Sequence, residues 1–102
     1  MTNTKEKVKT AKAVYGAYML SLRFRDIGLD LNEDVRKKNT LKSDYAHINF
    51  GTELLVDKVF GRKECTGEYE GMNAYLKEIL DLVVKYEGDE DAFTKAFKEQ
   101  FC

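Results

Sequence analysis

The chain has 102 residues, of which 43% are hydrophobic and 34% are charged, and its formal net charge is −1. This length and composition predict a single folded domain over residues 1–102 and exclude a disordered polyelectrolyte. The most apolar window, residues 13–22, is about half as long as the roughly twenty residues that a membrane span needs, so we expect no membrane partner.

The charges are sorted along the chain. Residues 1–63 contain thirteen Lys and Arg against eight Asp and Glu, whereas residues 64–102 contain four against ten. A chain with a basic and an acidic end is typical of a protein that presents a charged surface to a partner, which can be a second copy of itself.

The two cysteines, Cys65 and Cys102, do not form a C-x-x-C pair. They predict reduced thiols and a cytoplasmic location.

The first predicted element is a helix from Lys5 to Arg25. The chain contains no proline, which would interrupt a helix. Apolar residues spaced three and four apart give this helix one continuous apolar face. That face consists of Val8, Ala11, Tyr15, Tyr18 and Leu22. Further apolar side chains lie beside and opposite it, so the helix needs neighbours on more than one side.

Two helices are predicted in the middle of the chain. Residues 33–38 favour a short helix capped by Asn32, with acidic residues first and lysines last. Residues 41–60 favour a longer helix ended by Gly61, although Gly51 costs about 1 kcal/mol relative to Ala. The inner face of the longer helix is predicted to consist of Tyr45, Ile48, Thr52, Leu55 and Val59. A competing interpretation makes 45–50 a short strand, with the helix beginning after Thr52.

The C-terminal part predicts two more helices. The first runs from Thr66 to about Glu87 and is stopped by Gly88, and the second is capped by Asp89. The first buries Tyr69, Met72, Leu76, Ile79 and Val83, and the second buries Phe93, Ala96, Phe97 and Phe101. The predicted fold class is therefore all-α, a compact bundle of four or five helices.

The residues that could carry chemistry do not form a recognisable site. His47 and Asp44 share the i, i+3 spacing of bundle metal sites, but no second such pair with a histidine exists. Cys65 lies near a predicted helix start, which alone does not indicate a reactive thiol. The acidic runs 30–34 and 87–91 lack the Gly and Glu positions of an EF-hand loop. We therefore expect no enzyme activity, no metal and no cofactor.

A partner-binding surface is predicted on the first helix. Six Tyr and six Phe are more than a small core needs, and Tyr is enriched where proteins meet. Tyr15, Tyr18 and Met19, with Arg23 and Arg25 one turn further on, are the candidate contact residues. In the competing interpretation the two tyrosines lie at the centre of the bundle.

A nucleic-acid surface is the alternative. It would need the basic residues of the N-terminal half to share one face and follow a phosphate backbone. These residues are Lys9, Lys12, Arg36, Lys37, Lys38 and Lys42. The acidic C-terminal third would repel the same polymer unless it faced away.

Together these features favour a non-enzymatic cytoplasmic protein that acts through protein–protein contacts. We expect a homodimer whose interface includes the first helix. By association alone, its size and composition suit an accessory or inhibitory protein of the kind that phages and mobile elements encode. The alternative hypothesis is a nucleic-acid-binding regulator that uses the basic N-terminal half.

Overall fold

Four α-helices pack together in the part of the chain that the structure describes. This computed structural model describes residues 4–26 and 50–102, and the side chains of 4–20, 51–67 and 69–102. The helices are α1 (Thr4–Asp26), α2 (Phe50–Phe60), α3 (Ala74–Lys85) and α4 (Glu90–Phe101). They confirm the predicted all-α bundle. The helix expected over 33–38 and residues 41–49 of the next predicted helix lie outside the described residues. The competing interpretation, a strand over 45–50 with the helix beginning after Thr52, is wrong at its end, because α2 already begins at Phe50.

Helix α1 is the central element and packs against each of the other three helices. The predicted face is confirmed where it is described, because Ala11, Tyr15 and Tyr18 are buried and Val8 is half-buried against the core. Val14 is also fully buried, which widens the apolar face as the sequence led us to expect. The side chain of Leu22 lies outside the described residues.

Helix α2 turns a different face to the core from the one predicted. Thr52 is buried as expected, but Leu55 is 43% exposed and Val56 is fully buried. Phe60 packs against the core, so the inner line is Thr52, Val56 and Phe60, at successive i+4 positions. Leu54, Leu55 and Val56 are consecutive apolar residues, so hydrophobic periodicity alone could not decide which of them points inward. Gly61 ends the helix with φ +87°, as predicted.

The predicted helix from Thr66 to Glu87 is wrong over its first two turns. Residues Gly67–Tyr69 form a 3-10 turn, Gly71 has φ +91°, and α3 begins only at Ala74. Tyr69 and Met72 therefore lie outside α3, although both still pack against the core. In the sequence, these two residues have the spacing of a helical face. The turn, like a helix, places both side chains on the core side of the bundle.

Backbone pairing and a buried cap fix the start of α3. The N–H of Cys65 donates to the carbonyl of Met72 at 2.9 Å, and the N–H of Ala74 donates to the carbonyl of Lys63 at 2.5 Å. The Asn73 side chain accepts from the N–H of Tyr75 at 2.9 Å, which caps the helix. These bonds fold the connection between α2 and α3 back on itself. The predicted helix therefore cannot extend through this segment.

The α3–α4 corner follows the prediction closely. Gly88 adopts φ +87°, and the Asp89 side chain accepts from the N–H of Ala92 at 3.1 Å as the N-cap of α4. Phe93 and Phe97 are fully buried. The carboxylates of Glu90 and Asp91 lie in the first turn of α4, where the helix dipole favours negative charge.

The core lies between α1 and the other helices and is rich in aromatic rings. Tyr15 and Phe93 have ring centroids 5.0 Å apart, and Phe97 stacks on Phe101 at 4.8 Å. Phe60 meets Phe97 edge-on at 6.2 Å, which connects α2 with α4. The buried core residues are Ala11, Val14, Tyr15, Tyr18, Val56, Leu76, Ile79, Leu80, Val83, Phe93 and Phe97.

Candidate functional site

Two of the candidate contact residues are core residues. Tyr15 is 7% exposed and Tyr18 is 2% exposed, which leaves almost no surface for a partner. The Tyr15 hydroxyl accepts from the N–H of Gly88 at 3.1 Å and donates to the carbonyl of Tyr86 at 3.5 Å. Their assignment to a contact surface is therefore corrected in favour of the competing interpretation. A buried Tyr needs a partner for its hydroxyl, and the α3–α4 corner provides one for Tyr15.

The other predicted site residues are only partly tested. Met19 is half-buried and packs against the core. Arg23 and Arg25 lie on α1, but their side chains are outside the described residues. Lys9 and Lys12 are exposed on α1. The remaining basic candidates and the His47 pair lie outside the described residues; these are Arg36, Lys37, Lys38, Lys42, Asp44 and His47.

A surface groove lies between α1 and α2. Its volume is about 260 Å³. Its apolar lining comes from Ala13 of α1 and from Leu55 and Val59 of α2. Lys9 and Lys58 also line it, with Glu6 and Thr10 completing the wall. We call this feature the α1–α2 groove, its apolar lining residues the floor and its charged lining residues the rim. An apolar lining with a few charged groups is typical of a binding site.

Exposed leucines surround this region. Leu20 is 50% exposed, Leu54 is 53% exposed and Leu55 is 43% exposed, and these are the large hydrophobic side chains exposed within the described residues. All three lie on α1 or α2. Leu20 follows Lys9, Ala13 and Gly16 at spacings of four, three and four, so it lies on their side of α1. Single exposed leucines are ordinary, but a group next to an apolar groove marks a candidate contact surface.

The rim of the groove carries positive charge. Lys9 and Lys58 are exposed, and neither forms an ion pair with another residue of the described ranges. Lys12 is exposed one turn from Lys9 on α1. Among the described residues, the ammonium groups of Lys9 and Lys58 therefore have no carboxylate partner.

A second polar feature, around Asn73, has a structural explanation. Asn73 is fully buried, and its amide donates to the Asp57 carboxylate and, at 3.1 Å, to the carbonyl of Gly61. Its backbone N–H donates to Glu53 at 3.3 Å. Both N–H donors of the Asn73 side chain are thus used, and its side-chain oxygen accepts from the N–H of Tyr75. The residue therefore joins the end of α2 to the start of α3.

Arg62 completes this connection from the surface. Its guanidinium pairs with Glu53 at 2.5 Å, with Glu64 at 3.0 Å and with Asp57 at 3.3 Å. Hydrogen bonds to Glu53, which has the larger effect, and to Glu64 raise the pKa of Arg62 above its ordinary value. The guanidinium is thus bonded to three carboxylates of its own chain and, through Nη2, to the carbonyl of Gly71 at 2.7 Å, which gives it a structural role.

The described residues do not assemble a metal-binding cluster. Within 4–26 and 50–102 no three His, Cys, Asp or Glu side chains come together as metal ligands would. Cys65 and Cys102 are both free thiols, the first half-buried and the second exposed. No helix in the described ranges is both long and apolar enough to cross a membrane.

Sequence reasoning missed the part of this site contributed by α2. It assigned Leu55 and Val59 to the inner face and did not consider Leu54. The available signal was the run of adjacent apolar residues from Leu54 to Val56, because neighbouring positions on a helix point about 100° apart and cannot all face one core.

Comparison with protein-family models, curated proteins and solved structures found no match.

Proposed function

We propose that this chain is a non-catalytic protein-binding domain that receives part of a partner protein in the α1–α2 groove. The observation that carries the proposal is the groove itself, lined by Leu55 and Val59 and by two lysines that form no ion pair with the residues that the structure describes. Burial of apolar area drives most protein association, at about 25 cal/mol per Å². A protein side chain that enters the groove would bury Leu55 from water.

The proposed setting is the cytoplasm, and the proposed role is that of an accessory or inhibitory protein. Both cysteines are free, which is in keeping with a reducing compartment. A domain that changes the behaviour of its partner simply by occupying a surface needs no catalytic groups of its own.

The direct test is capture of a partner by the parent chain and by Leu55→Asp. We expect the parent to retain a specific protein from a lysate of the cells that make it. Leu55→Asp should lose that protein because a carboxylate on the groove floor would have to be desolvated on binding. Its circular dichroism and melting temperature should match the parent, because position 55 is exposed.

The matched control is Lys95→Gln, which lowers the net charge by the same amount on the exposed surface of α4. It should capture the partner as the parent does. If Leu55→Asp keeps the partner, or if the parent captures no specific protein, the proposed function is wrong.

Light scattering of the purified parent tests the expected homodimer in the same preparation.

A nucleic-acid-binding function is the second candidate. It is favoured by Lys9, Lys12 and Lys58, which are all exposed on α1 and α2. It predicts retardation of a duplex DNA or RNA in a gel at low salt, lost steeply as salt rises because counterions are released from the phosphates. A gel without retardation at low salt would eliminate it.

A further inference from the structure

The charges around the α1–α2 groove limit what can occupy it. Exposed α1 and α2 residues near the groove include Lys5, Lys9, Lys12 and Lys58, whereas Glu6 is the acidic residue of its lining. Counting only the residues in 4–26 and 50–102, the surface around the groove is therefore predominantly positive. A partner segment that carries negative charge beside its apolar residues would gain from both parts of the site.

A second copy of the chain does not fit this surface well. A symmetric dimer formed through the groove would set α1 and α2 against the same helices of the other copy. Two surfaces rich in lysine would then meet, and like charges brought together oppose association.

The acidic end of a second copy also lacks the required apolar side chains. Glu87, Asp89, Glu90 and Asp91 are exposed at the α3–α4 corner. The large apolar residues of α4, however, point into the core, where Phe93 and Phe97 are fully buried. Within the part of the chain that the structure describes, that corner therefore offers carboxylates for the lysines but no exposed large apolar side chain for the groove floor.

From these contacts we infer that the groove binds an amphipathic helix of a different protein, whose apolar stripe is flanked by Glu or Asp. This inference rests on the proposed function and specifies the partner. A helix suits the site because the groove runs between two helices, and apolar residues at i, i+3, i+4 and i+7 form such an anchoring stripe. Leu55 and Val59 would contact the stripe, and Lys9 and Lys58 would contact the acidic flanks.

The experiment uses synthetic helical peptides of about eighteen residues, long enough for appreciable helix content. One peptide has Leu at the stripe positions and Glu at the flanks, and a second has Lys at the same flanks. Fluorescence anisotropy measures the affinity of the full-length chain for each peptide at about 50 mM and about 500 mM salt. We expect the Glu peptide to bind at least about tenfold more tightly at low salt, and the difference to shrink at high salt.

Charge reversal on the rim locates the effect. The double variant Lys9→Glu and Lys58→Glu should weaken binding of the Glu peptide by about tenfold, because two favourable pairs become repulsive. The matched control is Lys95→Glu with Lys98→Glu, which changes the net charge equally on exposed positions of α4. It should change the affinity by less than about twofold, apart from screened long-range effects.

Each other outcome overturns the inference in a distinct way. If both peptides bind equally and Leu55→Asp abolishes binding, the groove binds protein without selecting acidic flanks, and the proposed function stands. If neither peptide binds while the lysate partner still depends on Leu55, the helix assignment is wrong and the proposed function again stands. If the parent is a dimer that Leu55→Asp dissociates, the occupant is a second copy. If only a duplex nucleic acid binds, both proposals fail.

Discussion

Asn73 is the residue on which the connection between α2 and α3 most depends. It is fully buried and combines three tasks, bonding Asp57, the carbonyl of Gly61 and the N–H of Tyr75. Buried polar groups are stabilising only when they are satisfied, and removing one member leaves its partners unpaired.

We expect Asn73→Ala to lower the free energy of unfolding by about 2–3 kcal/mol, from the lost cap and the unpaired groups around it. Urea denaturation followed by circular dichroism measures the change. The control is Asp89→Ala, which removes an exposed cap with one bond to Ala92 and should cost about 1 kcal/mol. Equal losses in the two variants would show that Asn73 acts as an ordinary cap.

Tyr15 shows how a surface residue predicted from sequence can prove to be structural. Its hydroxyl bonds backbone groups of Tyr86 and Gly88. Tyr15→Phe should lower the free energy of unfolding by about 1 kcal/mol, because it removes these bonds and leaves the ring in place. Tyr75→Phe, at a half-buried ring, should change it by less than about 0.5 kcal/mol.

The same two variants can contradict this assignment through binding. If Tyr15→Phe were as stable as the parent and weakened partner capture, Tyr15 would be a contact residue after all.

Among the elements, α4 and the end of α3 were the most predictable from sequence. Asp89 followed by two acidic residues is a strong helix start, and Gly88 is a strong stop. The start of α3 was not predictable in the same way, because Tyr69 and Met72 continue its spacing of three and four. Only the buried bonds of Asn73 with residues of α2, distant in sequence, show why the helix begins after it.

The face of α2 was mispredicted for a related reason. Three consecutive apolar residues allow two phases of the helix, and the choice depends on which ring meets the core. Phe60 settles it, because its ring contacts Tyr75 at 5.8 Å and Phe101 at 5.8 Å. Those partners are supplied by other helices, so local sequence carries no record of them.

Helix α1 contains a glycine whose replacement is expected to stabilise the protein. Gly16 is exposed, and a Cβ built on it would meet nothing within 4 Å. Gly16→Ala should raise the free energy of unfolding by about 0.5–1 kcal/mol, because Ala loses less conformational entropy in a helix. Thermal and urea unfolding both measure this change.

Gly88→Ala is the matched control for backbone conformation. It also has open space around its Cβ, but its φ is +87°, which is unfavourable for a residue with a side chain. The free energy of unfolding of this variant should be lower than that of the parent by about 1 kcal/mol or more. A destabilised Gly16→Ala would show that α1 does not have a regular exposed helical surface at that position.

At the scale of the whole molecule, the sequence indicated correctly that the N-terminal part is basic and that the helices form a bundle. It did not indicate where the exposed apolar surface lies. That surface results from the packing of α1 on α2, which buries Val14 and Val56 and leaves Ala13 and Leu55 in the groove. The proposed binding site is thus a property of the assembled helices and of no single one of them.

The measurement that tests this account most directly compares Leu76→Asp with Leu55→Asp for both stability and partner capture. Leu76 is 2% exposed, so a carboxylate there should cost more than about 4 kcal/mol and unfold the protein, whereas Leu55→Asp should melt like the parent and lose only the partner. The account would be contradicted if Leu55→Asp unfolded, if Leu76→Asp melted like the parent, or if the folded Leu55→Asp chain still captured the partner.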